Sequence, residues 1–213
     1  MTKDTHTIIG LATTIAIIQP TTLKSLVICS ATASIGSVIS DIDITTSSSR
    51  KELIKIIAIS LIAIIFCTFI ELNFNLGILE LIKSQTTILR ILIGLGTFLG
   101  VCIFGIHTDH RTFMHSPLCV SILFGIIWVI FPALAVPFGI SMLSHIILDL
   151  FNTKKIQLFY PIKKPKISFN LCYSNGKANK ILAKIATIIL TLELILFTTL
   201  QFGVLAKTII KLF

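Results

Sequence analysis

His145 and Asp149 stand four residues apart in an apolar stretch. On a helix that spacing puts an imidazole and a carboxylate on one face, one turn apart. The pair could bind one cation together, Asp149 could orient His145 from behind, or the two could form a plain helix-end hydrogen bond. The other His and Asp residues are also clustered: Asp4-Thr5-His6, Asp41-Ile42-Asp43, and His107-Thr108-Asp109-His110 running on to His115. All five His and all five Asp fall in these four groups. Clustered imidazoles and carboxylates in greasy surroundings point to a metal site or a proton relay.

Each group has its own chemistry. Asp41 and Asp43 repel each other unless a cation or a proton lies between them. They also close a small-residue helix, where acidic side chains oppose the macrodipole, so a bare solvated terminus is locally unfavourable. The segment from His110 to Ser116 is the richest. Its neutral imidazoles suit Zn²⁺, Mn²⁺ or Fe²⁺ beside oxygen ligands. Arg111 could clamp a phosphate or carboxylate with two parallel bonds. Ser116, just before Pro117, is equally a helix cap. His6 gains weight only if it shares a membrane face with the others, and His107 and Asp109 are read as lying outside the site. There is no HExxH, no GxSxG and no glycine-rich phosphate loop, which leaves zinc-peptidase, serine-hydrolase and P-loop readings without support.

The elements that must position these groups are membrane helices. The chain has 213 residues, of which 54% are hydrophobic and 13% charged, with a mean hydropathy of +0.99. A soluble domain carries about a quarter charged residues. The composition therefore predicts an all-α polytopic membrane protein with about six to seven transmembrane or re-entrant helices. Met1 to Asp4 lacks the basic n-region and cleavage site of a signal peptide, so the first apolar segment is expected to stay in the protein.

Apolar segments run over Thr7–Gln19, which is short, Thr22–Ser40, rich in small residues, and Leu53–Leu72. A polar link with a short apolar, interfacial piece is expected over Asn73–Thr86. Thr87–Ile106 follows, its Gly94, Gly96 and Gly100 predicting close packing on a neighbour. Pro117–Phe131 and Ala133–Leu150 form a hairpin broken near Pro132 and Pro137. Alternating residues in 156–170, around a Pro-Lys-Lys-Pro turn, predict a small surface β-hairpin. Ile181–Ala206 is the last span. Cys29, Cys67, Cys102 and Cys119 sit in or beside apolar segments and Cys172 in the basic loop; with no CxxC they read as small apolar residues.

Counting spans places His6, Asp41 and Asp43, His107 to His115, and His145 and Asp149 on one membrane face. The basic residues agree. That face takes Lys3, Arg50, Lys51, Lys55, Arg111 and the eight lysines from Lys154 to Lys184, or 13 of 18, against five on the other face. The asymmetry marks it as cytoplasmic. A lysine run beside a membrane implies contact with anionic headgroups, and no direct nucleic-acid binding is expected.

The ordered set His6-Thr7-x-x-Gly10, Ser40-Asp41-Ile42-Asp43, His110-Arg111-x-x-x-His115-Ser116 and Ser144-His145-x-x-x-Asp149, leading to Phe159-Tyr160-Pro161, resembles a known family. It is the YdjM-like family of membrane-bound metal-dependent hydrolases, also described as LexA-binding, inner membrane-associated hydrolases. The likeness runs from His6 to about Pro161. Ile39-Ser40 stands where the family has Leu-Pro, and Met114 where Thr is usual; every candidate ligand is in place. The family looks distantly similar to zinc-dependent phospholipase C, which points to phosphoester chemistry.

The resemblance implies a hydrolase domain over 1–161, a basic cytoplasmic loop over 162–180 and a C-terminal helix and tail over 181–213. It implies one or two divalent ions, zinc first and manganese or iron as alternatives, held by His6, Asp41, Asp43, His115, His145 and Asp149. Asp43 or His110 would take the proton, and Arg111 would attract the anionic group. The family name alone suggests a LexA-type partner. The rival expectations are a non-catalytic membrane adaptor with a structural metal and an ion or solute transporter.

Overall fold

The computed structural model describes residues 1–74, 86–162, 165–174 and 176–210. Seven α-helices make up the fold among these residues: α1 Lys3–Ile18, α2 Leu23–Ile39, α3 Ser48–Phe74, α4 Thr86–Ile106, α5 Pro117–Ile130, α6 Pro132–Leu150 and α7 Lys177–Ile210. Five stretches are long and apolar enough to cross a membrane, in α2, α3, α4, α6 and α7; α5 is shorter and equally apolar. Most of the interfacial piece expected over Asn73–Thr86, and Lys163 and Lys164 of the Pro-Lys-Lys-Pro turn, lie outside the described residues.

Local signals set the helix ends. The Thr2 side chain caps α1, and Gln19 closes it in the left-handed region, just before Pro20. Thr22 and Ser25 cap each other's backbone at the start of α2. Ser116 accepts from the Cys119 N–H at 3.2 Å and Pro117 takes the first position of α5, so Ser116 is a helix cap. The break in the hairpin falls at Phe131–Pro132; Pro137 sits inside α6, which runs through it unbroken.

The interior is built on α2, α6 and α1, where small residues let backbones approach. A Cβ on Gly36 would lie 2.5 Å from the Phe138 carbonyl oxygen, and one on Gly10 would lie 2.6 Å from Ser141 Oγ. Ser141 Oγ donates to the Ala33 carbonyl at 2.5 Å across the same seam. Of Gly94, Gly96 and Gly100 in α4, only Gly94 follows the expected close packing, against Ile130. Gly96 and Gly100 have nothing within 4 Å of an added Cβ and face outward. Helices α3, α4 and α7 expose apolar side chains along most of their length, as lipid-facing helices do.

The helices alternate in direction. Lys3 Nζ reaches Ser48 Oγ at 2.7 Å, and an Arg50 guanidinium nitrogen reaches the Ile106 carbonyl at 3.5 Å. These bonds bring the start of α1, the start of α3 and the end of α4 to one end of the bundle. Helix α7 runs parallel to α1: Asn179 bonds Thr2 at one end and Gln201 bonds the Thr21 carbonyl at the other.

The expected β-hairpin over 156–170 does not form. Among the described residues there is no strand, only isolated bridges pairing Ile156 with Ile167 and Asn152 with Cys172. The backbone groups that would extend a ladder are taken elsewhere. The Gln157 N–H donates to the Arg111 carbonyl at 2.8 Å, and the Phe169 N–H to the Leu150 carbonyl at 2.7 Å. The segment is pinned to helix ends instead of to itself.

Candidate metal centre

Four elements deliver side chains to one buried spot at that end. His6 lies near the start of α1. Asp41 and Asp43 ride on a 3₁₀ turn, Ser40–Asp43, that continues α2. His110 and Arg111 are in the link after α4, and His115 ends a second 3₁₀ turn, Phe113–His115. His145 and Asp149 occupy the last turns of α6. Every residue expected at the site is brought together. His107 turns back to its own helix, bonding the Ile103 carbonyl at 2.8 Å, and His107 and Asp109 are exposed outside the cluster.

Asp149 is the hub. One carboxylate oxygen lies 3.4 Å from His6 Nε2 and 3.3 Å from the Met1 amine; the other lies 3.3 Å from His115 Nε2 and 3.1 Å from Arg111 Nη2. Asp41 Oδ1 is 3.5 Å from His145 Nε2 and 3.9 Å from His115 Nε2. Asp43 lies 2.9 Å from His110 Nδ1 and 3.4 Å from His115 Nδ1, and it accepts the Arg111 backbone N–H at 3.1 Å. The rings of His6 and His145 stack 3.8 Å apart. His6, His115, His145 and Asp149 are buried, whereas Asp41 and His110 open toward the surface.

His145 Nδ1 is 2.6 Å from the Ser37 carbonyl oxygen. A carbonyl only accepts, so Nδ1 carries the proton and the Nε2 lone pair faces the cluster. That Nε2, both nitrogens of His115 and His6 Nδ1 are buried without a hydrogen-bond partner. Burial alone would lower the His115 pKa, but the Asp149 and Asp43 carboxylates outweigh it and raise it to about 9. Orphaned buried imidazole nitrogens beside three carboxylates are the donor set that a divalent cation satisfies.

Three groups of these side chains bring one ligand atom each within 4.8 Å of one another: His6, His145 and Asp149; Asp41, His115 and His145; and Asp43, His110 and His115. The residues present therefore fit a metal ion, and their chemistry does not select which one. The carboxylate that Arg111 meets is one of the chain's own, Asp149. The Arg111 guanidinium is engaged with Asp149, with the Lys154 carbonyl and with His110 Nε2, and the Arg111 backbone sits at φ 65°. The Ser37 and Lys154 carbonyls, the Met1 amine and the Arg111 backbone N–H escaped sequence reasoning. They are main-chain groups, and side-chain identity carries no signal for them.

No curated protein and no solved structure matches the chain. A family model does, that of the YdjM inner membrane protein, and it matches residues 1–210, through the basic loop and the last helix. With five membrane-spanning stretches, this match makes the chain a multi-pass inner membrane protein with a buried His/Asp centre able to hold metal. The chain belongs to the YdjM inner membrane protein family.

Proposed function

We propose that this protein is a membrane-bound metal-dependent hydrolase that cleaves an ester or phosphoester at the cytoplasmic face of the membrane. The observation that carries the reading is the set of orphaned imidazole nitrogens held 3.3–3.9 Å from Asp41, Asp43 and Asp149. His6, Asp41, Asp43, His115, His145 and Asp149 would hold the ion; zinc is proposed first from the family resemblance, with manganese or iron as alternatives on the same nitrogen and oxygen set. A bound divalent ion lowers the pKa of a water and polarises the scissile bond.

The chain's own residues divide the remaining work. Asp43 accepts from His110 Nδ1 and Arg111 Nε donates to His110 Nε2, so His110 would take a proton only after Arg111 releases that nitrogen at the more open side of the cluster. Arg111 positions its neighbours: its backbone N–H holds Asp43 while its side chain holds Asp149. The buried walls keep bulk water from the charged groups, which strengthens every interaction among them. The side of the membrane follows from the excess of basic residues at this end.

A second reading, a non-catalytic membrane adaptor with a structural ion, draws on the same burial, since structural sites are closed. A transporter is less favoured, because the cluster lies at helix ends and not at mid-membrane.

The test is metal analysis of the purified protein with hydrolysis of a chromogenic phosphodiester and a chromogenic carboxylic ester. The expected result is a bound ion and turnover that Asp43→Asn and His110→Ala abolish while the fold persists. Bound metal without turnover of either ester favours the adaptor. Wild-type protein with neither bound nor activating metal overturns both.

A further inference from the structure

We infer that residues 151–162 and 165–174, between α6 and α7, form an interfacial platform that seats in the headgroup layer of an anionic bilayer. Its apolar side chains point into lipid and its lysines meet acidic headgroups. The inference stands apart from hydrolysis: it concerns the surface beside the site.

The segment is irregular but well fixed. Phe169 N–H bonds the Leu150 carbonyl at 2.7 Å, and the Leu171 and Cys172 N–H groups share the Phe151 carbonyl at 3.0 and 2.9 Å. Ile156 and Ile167 exchange both backbone bonds at 2.8 Å. The Gln157 side chain donates to the Ile162 carbonyl at 2.9 Å. Ile156 and Cys172 are buried, and Leu158 and Tyr160 pack against the core, but other large apolar side chains of the segment do not turn inward. Phe159, Ile162, Phe169, Leu171 and Tyr173 are instead between 53% and 72% exposed. Large apolar side chains exposed this often within one short segment point to an interaction surface.

Charge and attachment identify the partner. From Asp149 to Glu193 the chain carries eight lysines and no carboxylate in between. Lys154, Lys155 and Lys166 are exposed, and among the described residues they make no ion pair. Such a surface takes an acidic, partly apolar partner. Both of its ends are bonded to helices that cross the membrane, so the nearest such partner is the bilayer in which the protein sits. Irregular backbone is excluded from the hydrocarbon, because its remaining polar groups need water or headgroups. The backbone therefore rides at headgroup level, where aromatic rings and lysines are favoured.

The platform is also joined to the buried cluster. The Gln157 N–H donates to the Arg111 carbonyl, and the Arg111 guanidinium donates to the Lys154 carbonyl while it holds Asp149. Seating the platform thus sets the depth of the cluster at the headgroups.

The test uses the full chain in vesicles of phosphatidylcholine alone, or with an equal part of phosphatidylglycerol. Trp128, the one native tryptophan, is first replaced by Phe and Phe159 by Trp. The indole is expected to be quenched by shallow brominated lipid, and more strongly in the anionic vesicles. In native mass spectrometry, Lys154→Glu, Lys155→Glu and Lys166→Glu together are expected to cut phosphatidylglycerol enrichment at least about tenfold. A fully hydrated, unquenched indole overturns the platform. So does a charge-reversed protein that keeps its lipid enrichment; a soluble acidic protein then becomes the partner. Phe169→Trp repeats the measurement if the first variant fails to fold, and the same two results decide it.

Discussion

His145 Nδ1 meets the Ser37 carbonyl oxygen at 2.6 Å, and this one contact aims the other nitrogen of the ring at Asp41, 3.5 Å away. Helix α2 thereby orients a candidate ligand on α6 through its main chain. Ser37→Ala keeps the carbonyl and is expected to leave metal affinity within about twofold of wild type. His145→Ala removes the donor and is expected to lower affinity by more than about a hundredfold, beyond the range seen for loss of a merely orienting partner. Competition with a chromophoric chelator in detergent measures both.

The raised His115 pKa fixes the direction of a pH effect. In the metal-free protein the ring is protonated below about 9, well above its ordinary 6.5. A metal must displace that proton, because only neutral imidazole ligates. Apparent metal affinity is therefore expected to rise by up to about tenfold per pH unit toward pH 9 and then level off. The same titration in two buffers of different ionisation enthalpy should show proton release. Affinity that is flat from pH 6 to 9, with no proton released, excludes His115 as a ligand.

Glycines separate into two classes by what lies opposite them. Gly36→Ala forces a Cβ against the Phe138 backbone oxygen, which cannot swing away. It is expected to destabilise the protein by about 1–3 kcal/mol and to pull Asp41 from His145. Gly96→Ala and Gly100→Ala meet open space and a helical backbone, so they should be neutral or stabilise by up to about 1 kcal/mol. Thermal unfolding in detergent, followed by loss of helical circular dichroism, ranks the three.

Arg111→Lys keeps the charge but loses the fork that spans Asp149, the Lys154 carbonyl and His110. Under the hydrolase reading, turnover is expected to fall by about ten- to a hundredfold with the bound metal largely retained. Parallel activity and metal measurements check it. Unchanged turnover would mean that the guanidinium only fastens the surface loop.

The sequence made the convergence legible because helices that cross a membrane in alternation return their ends to the same face. The four polar clusters were spaced by that rhythm, so His6 and Asp149 could be matched without any contact information. The i, i+4 spacing of His145 and Asp149 likewise reads directly as one helix face. The surface segment was less legible. Its alternating residues suit a ladder, but Arg111 and Leu150 draw off the backbone bonds a ladder needs. Nor can a glycine's spacing reveal what faces it: Gly94 meets Ile130 while Gly96 and Gly100 meet nothing. The role of Arg111 was hidden because its partners include a carbonyl 43 residues away.

The cluster draws on α1, the turn after α2, the link after α4 and the end of α6. During synthesis its first member, His6, must wait in the membrane until Asp149 has emerged and α6 has been inserted. An early helix pair offers only His6, Asp41 and Asp43, too few donors to retain an ion firmly. Metal capture would thus be a late event, and an ion already bound would mark a chain in which α1, the turn after α2, the link after α4 and the end of α6 have come together.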